Sequence, residues 1–66
     1  MSRPYRLYAD GVLDGEHNSL AGACNDAREM AQANPGVQYH VERVAGAICE
    51  ATYRMPRGGQ LKAWVR

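Results

Sequence analysis

Apolar and polar side chains alternate with a period of two along much of the chain, and this pattern predicts β-strands. The stretches with this alternation are Pro4 to Ala9, Val37 to Val44, Ala47 to Met55 and Gln60 to Arg66. Asp10-Gly11 is a two-residue hairpin signal, because both residue types tolerate the positive φ of such turns. We therefore expect a return strand that begins at Val12 and Leu13 and ends at Asp14-Gly15 or at Glu16-His17.

One segment has helical periodicity instead. Asn18 and Ser19 are good N-cap residues, and Asn34-Pro35-Gly36 is expected to end the helix. Between these limits the apolar positions recur every three or four residues, with polar side chains on the opposite side. The apolar stripe consists of Leu20, Ala23, Cys24, Ala27, Met30 and Ala31. Because the stripe is mostly alanine, the helix is expected to pack close to a sheet.

The order of these elements, β-β-α-β-β-β, predicts an α+β fold in which one amphipathic helix covers one face of a curled antiparallel sheet of four to five strands. We expect residues 1–66 to form a single domain with one core between helix and sheet. The side chains assigned to that core are Leu7, Leu20, Ala23, Ala27, Met30, Val37, Tyr39, Val41, Tyr53, Leu61 and Val65. Alternation in the fourth strand also places Cys49 with Ala51 on the core face, and Glu50 with Thr52 on the opposite face.

A chain of 66 residues is too short to enclose a typical substrate pocket, which needs roughly 300–1,000 Å³. No nucleophile elbow, phosphate-binding loop or zinc-protease motif is present in the sequence. His17 and His40 are expected to be solvated side chains rather than general bases. These observations predict a protein that is not an enzyme and that uses no metal and no cofactor.

The sequence has no stretch of about 20 apolar residues, and no apolar segment follows Arg3 and Arg6. We therefore expect a cytoplasmic protein that does not bind membranes. The two cysteines, Cys24 and Cys49, agree with that expectation because small secreted domains usually contain more disulfides. They are interpreted as buried reduced thiols, with a disulfide between them as the alternative.

Charge is distributed unevenly although the net charge is only +1. Residues 1–42 contain three arginines and six carboxylates, whereas residues 43–66 contain five basic side chains and one glutamate. Strand alternation places basic and aromatic side chains on the sheet face opposite the helix, and tryptophan, tyrosine and arginine are enriched at interface hot spots. Trp64 would point into the core instead if the strand register were shifted by one. The predicted partner-binding residues are Arg6, Tyr8, Arg54, Arg57, Lys62, Trp64 and Arg66.

Short sequence motifs add a family resemblance. They are Ser19-Leu20-Ala21-Gly22-Ala23 and Ala27-Arg28-Glu29-Met30-Ala31 in the helix, Val41-Glu42-Arg43-Val44 in a strand, and Lys62-Ala63-Trp64-Val65 near the end. In size, element order and these motifs the chain resembles type I anti-CRISPR proteins of Pseudomonas mobile elements. The resemblance implies a phage-type inhibitor that binds an RNA-guided surveillance complex in the host cytoplasm and blocks access of target DNA.

Other functions remain open from the sequence. Basic residues interleaved with aromatics on a sheet also fit a small nucleic-acid-binding domain that uses the same face. A structural or homo-oligomeric phage protein is a further alternative, and a small metal or redox enzyme is the least favoured. The partner is therefore expected to be a host protein or ribonucleoprotein complex, or else a nucleic acid, and the protein a monomer or a homodimer.

Overall fold

The fold is one helix packed on a five-stranded antiparallel sheet, as the sequence predicts. The computed structural model describes residues 3–66, and Met1 and Ser2 lie outside the described residues. The strands have the spatial order β2-β1-β3-β4-β5, and every neighbouring pair is antiparallel. In chain order the elements are β1 (Tyr5–Ala9), β2 (Val12–His17), α1 (Leu20–Ala33), β3 (Gln38–Arg43), β4 (Ile48–Arg54) and β5 (Lys62–Val65).

The first hairpin turns at Asp10-Gly11, where φ is 48° and 82° respectively. Two consecutive positive φ values are typical of the turn that matches the twist of a two-residue hairpin. Asp10 also fixes the hairpin to β3, because its side-chain Oδ1 accepts a hydrogen bond from the Gln38 backbone N–H at 2.9 Å. The return strand β2 extends to His17. Of the two ends that the sequence allowed, Glu16-His17 is therefore correct and Asp14-Gly15 is not.

Helix α1 begins at its predicted cap. The Ser19 hydroxyl oxygen accepts a hydrogen bond from the Gly22 N–H at 3.1 Å, which satisfies one of the unpaired donors of the first turn. A Cβ atom on Gly22 would lie only 2.9 Å from Ser19 Oγ, so the capping geometry favours glycine at this position. At the other end, the Asn34 backbone N–H and side-chain amide both donate to the Met30 carbonyl.

The core lies between α1 and the central strands. Its buried apolar side chains are Leu7, Ala23, Ala27, Ala31, Tyr39, Val41, Ala51 and Tyr53. The predicted core residues Leu20, Met30, Val37 and Leu61 are partly buried and pack against this cluster. The prediction for Val65 is wrong, because this side chain is 62% exposed. The helix packs over β1 to β4 and does not reach β5, so nothing in the described chain covers that side of the last strand.

A bulge in β4 overturns the assignment of two further side chains. Val41 is opposite Ala51 and Glu42 is opposite Cys49, so one extra residue of β4 is accommodated between these pairs. Cys49 is exposed rather than buried, whereas Glu50 is only 5% exposed and not on the solvated face. Both cysteines are free thiols, and Cys24, which lies on α1, is half-buried.

Within residues 3–66, α1 is too short and too polar to cross a membrane.

Candidate partner-binding surface

The sheet face that points away from α1 is here called the open face. One row of side chains crosses this face from β2 to β5, because their Cα atoms are paired in register across all neighbouring strands. The row consists of Leu13, Tyr8, His40, Thr52 and Trp64. Since no element of the described chain packs on the open face, this row is available to a partner.

Tyr8 and His40 form a fixed pair in the middle of the row. Their ring centroids lie 4.7 Å apart and the ring planes differ by only 10°, so the rings are stacked. The Tyr8 hydroxyl donates a hydrogen bond to Glu42 Oε1 at 3.2 Å. The predicted site residue Tyr8 is therefore on the open face, and its orientation is held by two neighbours before any partner binds.

Trp64 lies at the β5 end of the row, directly opposite Thr52 of β4. The pairing between β4 and β5 has no register shift, so Trp64 is on the open face and the alternative of an inward-pointing tryptophan is excluded. The side chain is 51% exposed. Such exposure is unusual for tryptophan, whose large apolar ring is mostly buried in folded domains.

Two cations lie beside this tryptophan. Arg54 is paired with Lys62 across β4 and β5, and both side chains are exposed. With Gln38, Thr52 and Trp64 they line a shallow depression of about 240 Å³. We call Arg54, Lys62 and Trp64 the cationic corner. No carboxylate is within salt-bridge distance of Arg54 or Lys62 in the described part of the chain.

The other three predicted site residues do not belong to this corner. Arg6 is half-buried in β1 between Glu16 of β2 and Glu42 of β3. Its Nε atom is buried and has no hydrogen-bond partner among residues 3–66. Arg57 is exposed in the loop after β4, and its side chain lies close to Gly36. A Cβ atom added to that glycine would be 3.7 Å from Arg57 Nε. Arg57 is thus placed beside the turn that leads into β3 rather than on the open face.

Arg66 is engaged by the glutamate that the β4 bulge turns inward. Arg66 Nη1 lies 3.4 Å from Glu50 Oε1, and Arg43 Nη2 lies 2.7 Å from Glu50 Oε2. The hydrogen bond from Arg43 holds the pKa of Glu50 below its ordinary value, with a smaller effect of the same sign from Arg66 and an opposing effect from burial. Arg43 also lies over the Tyr5 ring at 5.4 Å, so the network connects β1, β3, β4 and the residue after β5. We assign Arg66 a structural contact at this network.

Sequence reasoning missed Leu13, which extends the open-face row to the far edge of the sheet and is half-exposed. The signal that could have identified Leu13 is its apolar side chain, which stands out in a return strand rich in acidic residues and glycine. It could not be assigned to a face, because a bulge between the Leu7 and Tyr8 pairings changes the alternation of β2.

The described residues contain no cluster of three or more histidine, cysteine or carboxylate side chains arranged to hold a metal ion. The open face offers an exposed indole ring and two exposed cations around a shallow depression. Comparison of the chain with protein-family models, curated proteins and solved structures finds no match.

Proposed function

We propose that this protein is a non-catalytic inhibitor that binds a protein or ribonucleoprotein partner through the cationic corner and the adjoining open face. The observation that carries the proposal is the exposed Trp64 with Arg54 and Lys62 beside it, on a face that no described element covers. The proposed partner class, an RNA-guided surveillance complex, is the one that the resemblance of the helix and strand motifs to type I anti-CRISPR proteins implies.

The energetics of Trp64 support an interface at this position. Roughly 100 Å² of a tryptophan ring is exposed when about half of its surface faces water. Covering that area with a partner would contribute about 2–3 kcal/mol at roughly 25 cal/mol per Å². A contribution of this size is typical of a hot-spot residue, and the two neighbouring cations would direct the contact to an anionic surface.

The distribution of charge on the open face favours a protein partner over a bare nucleic acid. Glu42 and Glu16 lie on the same face as Arg54 and Lys62. Glu42 of β3 is one strand from Arg54 and two from Lys62, whereas Glu16 of β2 lies at the opposite edge of the sheet. A face with both signs is complementary to a mixed protein surface, whereas it would repel a continuous line of phosphates at its acidic end. The cationic corner would fit an acidic patch of an RNA-guided surveillance complex outside the basic groove that holds target DNA, so the inhibitor would block access sterically.

The test is a plaque assay in a bacterial strain whose type I CRISPR system targets the infecting phage. Expression of the protein is expected to restore plaque formation, with an isogenic strain that lacks the CRISPR system as the control for toxicity. The double variant Arg54→Glu/Lys62→Glu should lose this effect. Arg28→Glu is the matched control, because Arg28 is an exposed arginine on α1, on the other side of the sheet.

Two outcomes would contradict the proposal in different ways. If the wild-type protein never restores plaque formation against any type I system tested, the inhibitor function is wrong. If plaque formation is lost with Arg28→Glu and kept with the double variant, the inhibitor function stands but the cationic corner is not its site. Thermal melts of each variant show whether a loss of effect comes from unfolding.

A second candidate is binding of single-stranded nucleic acid, which the same corner favours because bases stack on exposed aromatic rings next to cations. Fluorescence anisotropy with labelled oligo-dT and oligo-U over a salt series tests this function. If Arg54 and Lys62 each contact a phosphate, the slope of log K against log salt should fall by about 1.4 in the double variant. Absence of binding at low salt would exclude this candidate.

A further inference from the structure

β5 forms one edge of the sheet and is uncovered on three sides. Its open-face side carries Trp64, and its opposite side carries the exposed Val65, which α1 does not reach. Its remaining side is the free backbone edge, because among residues 3–66 the last strand pairs only with β4. A regular edge strand with exposed apolar side chains on both faces is a ready template for pairing with another strand.

The opposite edge of the sheet is protected in a way that β5 is not. β2 has a register irregularity opposite Leu7 and Tyr8, where Asp14 is the extra residue. Its edge also carries Glu16. Bulges and charges are the usual devices that prevent an edge from pairing. β5 also carries a charge, at Lys62, but it has no bulge, because its pairing with β4 runs without a shift from Ala51–Val65 to Arg54–Lys62.

The direction of the backbone groups on β5 follows from one hydrogen bond. The Arg66 N–H donates to the Glu50 carbonyl of β4 at 2.9 Å. Because hydrogen-bonding direction alternates along a strand, Trp64 and Lys62 also direct their N–H and C=O groups toward β4. Leu61, Ala63 and Val65 therefore direct theirs away from the sheet, toward the free edge.

We propose that β5 pairs antiparallel with β5 of a second copy of this chain, with the two-fold axis at Ala63. In this register the outward backbone groups of Ala63 face those of the partner's Ala63, and Leu61 faces the partner's Val65. About six backbone hydrogen bonds join the two copies. The exposed Val65 gains an apolar neighbour, because Leu61 lies on the same side of the sheet.

Side-chain chemistry selects this register over its neighbours. With the axis at Ala63, Lys62 lies opposite the partner's Trp64 on the open face, where an ammonium group and an indole ring attract each other. With the axis at Trp64, Lys62 would lie opposite the partner's Arg66. With the axis at Lys62, the two lysines would face each other. Like charges directly opposite destabilise strand pairing, so only the Ala63 register is self-complementary.

The dimer would join two five-stranded sheets into one continuous sheet with both helices on the same side. It would bring the two cationic corners together on the open face. This assembly does not depend on the proposed inhibitor function, because it rests on the backbone edge, on the pairing of Val65 and Leu61, and on the contact of Lys62 with the partner's Trp64.

Sedimentation equilibrium over a concentration series tests the dimer. Val65→Lys places a charge opposite the partner's Leu61 and should raise the dimer dissociation constant by about tenfold or more. Ala63→Pro removes an N–H group that points away from β4 and would join the two copies, so it should weaken the dimer. The monomer should stay folded, because proline is tolerated at such positions of edge strands. Val12→Lys is the matched control, because Val12 is 69% exposed on β2 and should leave dimerisation unchanged. Circular dichroism verifies that each variant is folded.

A cysteine scan tests the register. In a Cys49→Ser background, Ala63→Cys places two thiols on directly opposed residues with Cα atoms about 5.5 Å apart, within the range for a disulfide. Mild oxidation should then produce a covalent dimer, and the same background without the new cysteine should not. Val65→Cys should not cross-link, because it faces the partner's Leu61.

Three results would overturn the proposal. They are a protein that stays monomeric at all concentrations, a dimer that Val12→Lys disrupts and Val65→Lys does not, and a cross-link at Val65→Cys without one at Ala63→Cys. The Val65, Ala63 and Val12 variants leave Arg54, Lys62 and Trp64 unchanged. Sedimentation of these variants therefore tests the dimer separately from the plaque assay, and the single variant Arg54→Glu tests the inhibitor function without changing a residue of β5.

Discussion

Val41 offers the sharpest test of the packing between sheet and helix. Its side chain is fully buried in β3, between Leu7 of β1 and Ala51 of β4. Val41→Ala removes two methyl groups from this position. The transfer term is about 1.6 kcal/mol at roughly 0.8 kcal/mol per methyl-sized group, and the cavity that remains adds up to about 1 kcal/mol. We therefore expect a loss of about 2–3 kcal/mol in the free energy of unfolding.

A domain of this length has about 3–10 kcal/mol of stability, so the variant should remain folded in the absence of denaturant. Urea denaturation followed by far-UV circular dichroism measures the loss, and the melting temperature should fall by about 10–20 °C. Val12→Ala is the matched control, because it makes the same chemical change at an exposed site and should cost under about 0.5 kcal/mol. Equal losses at Val41 and Val12 would refute the register of β3. A cooperatively folded Val41→Asp variant would refute it too, because that change buries a charge.

The pKa of Glu50 is lower in the folded state than its ordinary value of 4.5, so its ion pairs stabilise the protein above that pH and are lost as the pH falls through the folded-state pKa. Glu50→Gln should therefore flatten the wild-type decrease in melting temperature below about pH 4.5, and an unchanged acid profile would contradict the network. Cys49 should react with iodoacetamide before the half-buried Cys24, as peptide mass mapping would show. Reductant should shift the melting temperature by less than about 4 °C, since a larger decrease would indicate a disulfide worth about 1 kcal/mol or more. Ser19→Ala should cost about 1 kcal/mol in urea denaturation and Ser19→Gly only a few tenths, whereas equal costs would exclude the cap.

The elements that could be predicted from the sequence are those with a local signal. Asp10-Gly11 determines its own turn through residues that tolerate positive φ, and Ser19 determines the helix start through one side-chain hydrogen bond. Alternation in β3 places Tyr39 and Val41 correctly, because that strand is regular over the residues that face the helix. These signals each involve a few neighbouring residues and need no knowledge of the remaining fold.

The bulge in β4 could not be predicted in this way. Cys49, Glu50 and Ala51 alternate apolar and polar, which is a valid pattern for a regular strand. The bulge instead turns Cys49 outward and Glu50 inward, where Arg43 of the neighbouring strand and Arg66 beyond β5 contact its carboxylate. These contacts join three separate segments of the chain, so the alternation within β4 alone does not contain them.

The exposure of Val65 has a geometric cause that the sequence also does not contain. Five strands about 4.8 Å apart make a sheet roughly 19 Å wide. The single helix of the described chain contacts four of these strands and leaves the fifth uncovered. Which strand is left uncovered depends on the strand order, and in this sheet β5 lies outside β4 and beyond the reach of α1.

The candidate site likewise contains residues that the sequence placed correctly and residues that it did not. Arg54, Lys62 and Trp64 come together because they are cross-strand neighbours on β4 and β5, and alternation suffices to place them. Arg6 and Arg66 were predicted beside them from the same alternation. Arg66 is instead engaged by Glu50, and Arg6 lies on β1, which two other strands separate from β5. Strand parity specifies the face of a residue, whereas its distance from the corner depends on the strand order and the position of the Arg66 head group depends on the Glu50 carboxylate.

The position of β5 connects the buried network with the exposed corner. β5 contacts no element of the described chain except β4, so its placement depends on that one ladder and on the contacts at its two ends. At one end Leu61 packs against the core, and at the other Arg66 binds Glu50 through its backbone and its side chain. Because Trp64 and Lys62 lie between these two anchors, the Glu50 network helps to hold the cationic corner in position although it lies outside that corner. A strand that is anchored at both ends but uncovered between them keeps its backbone edge and its aromatic ring exposed. Because the strand is already ordered, a partner that binds it does not have to offset the entropy cost of ordering it.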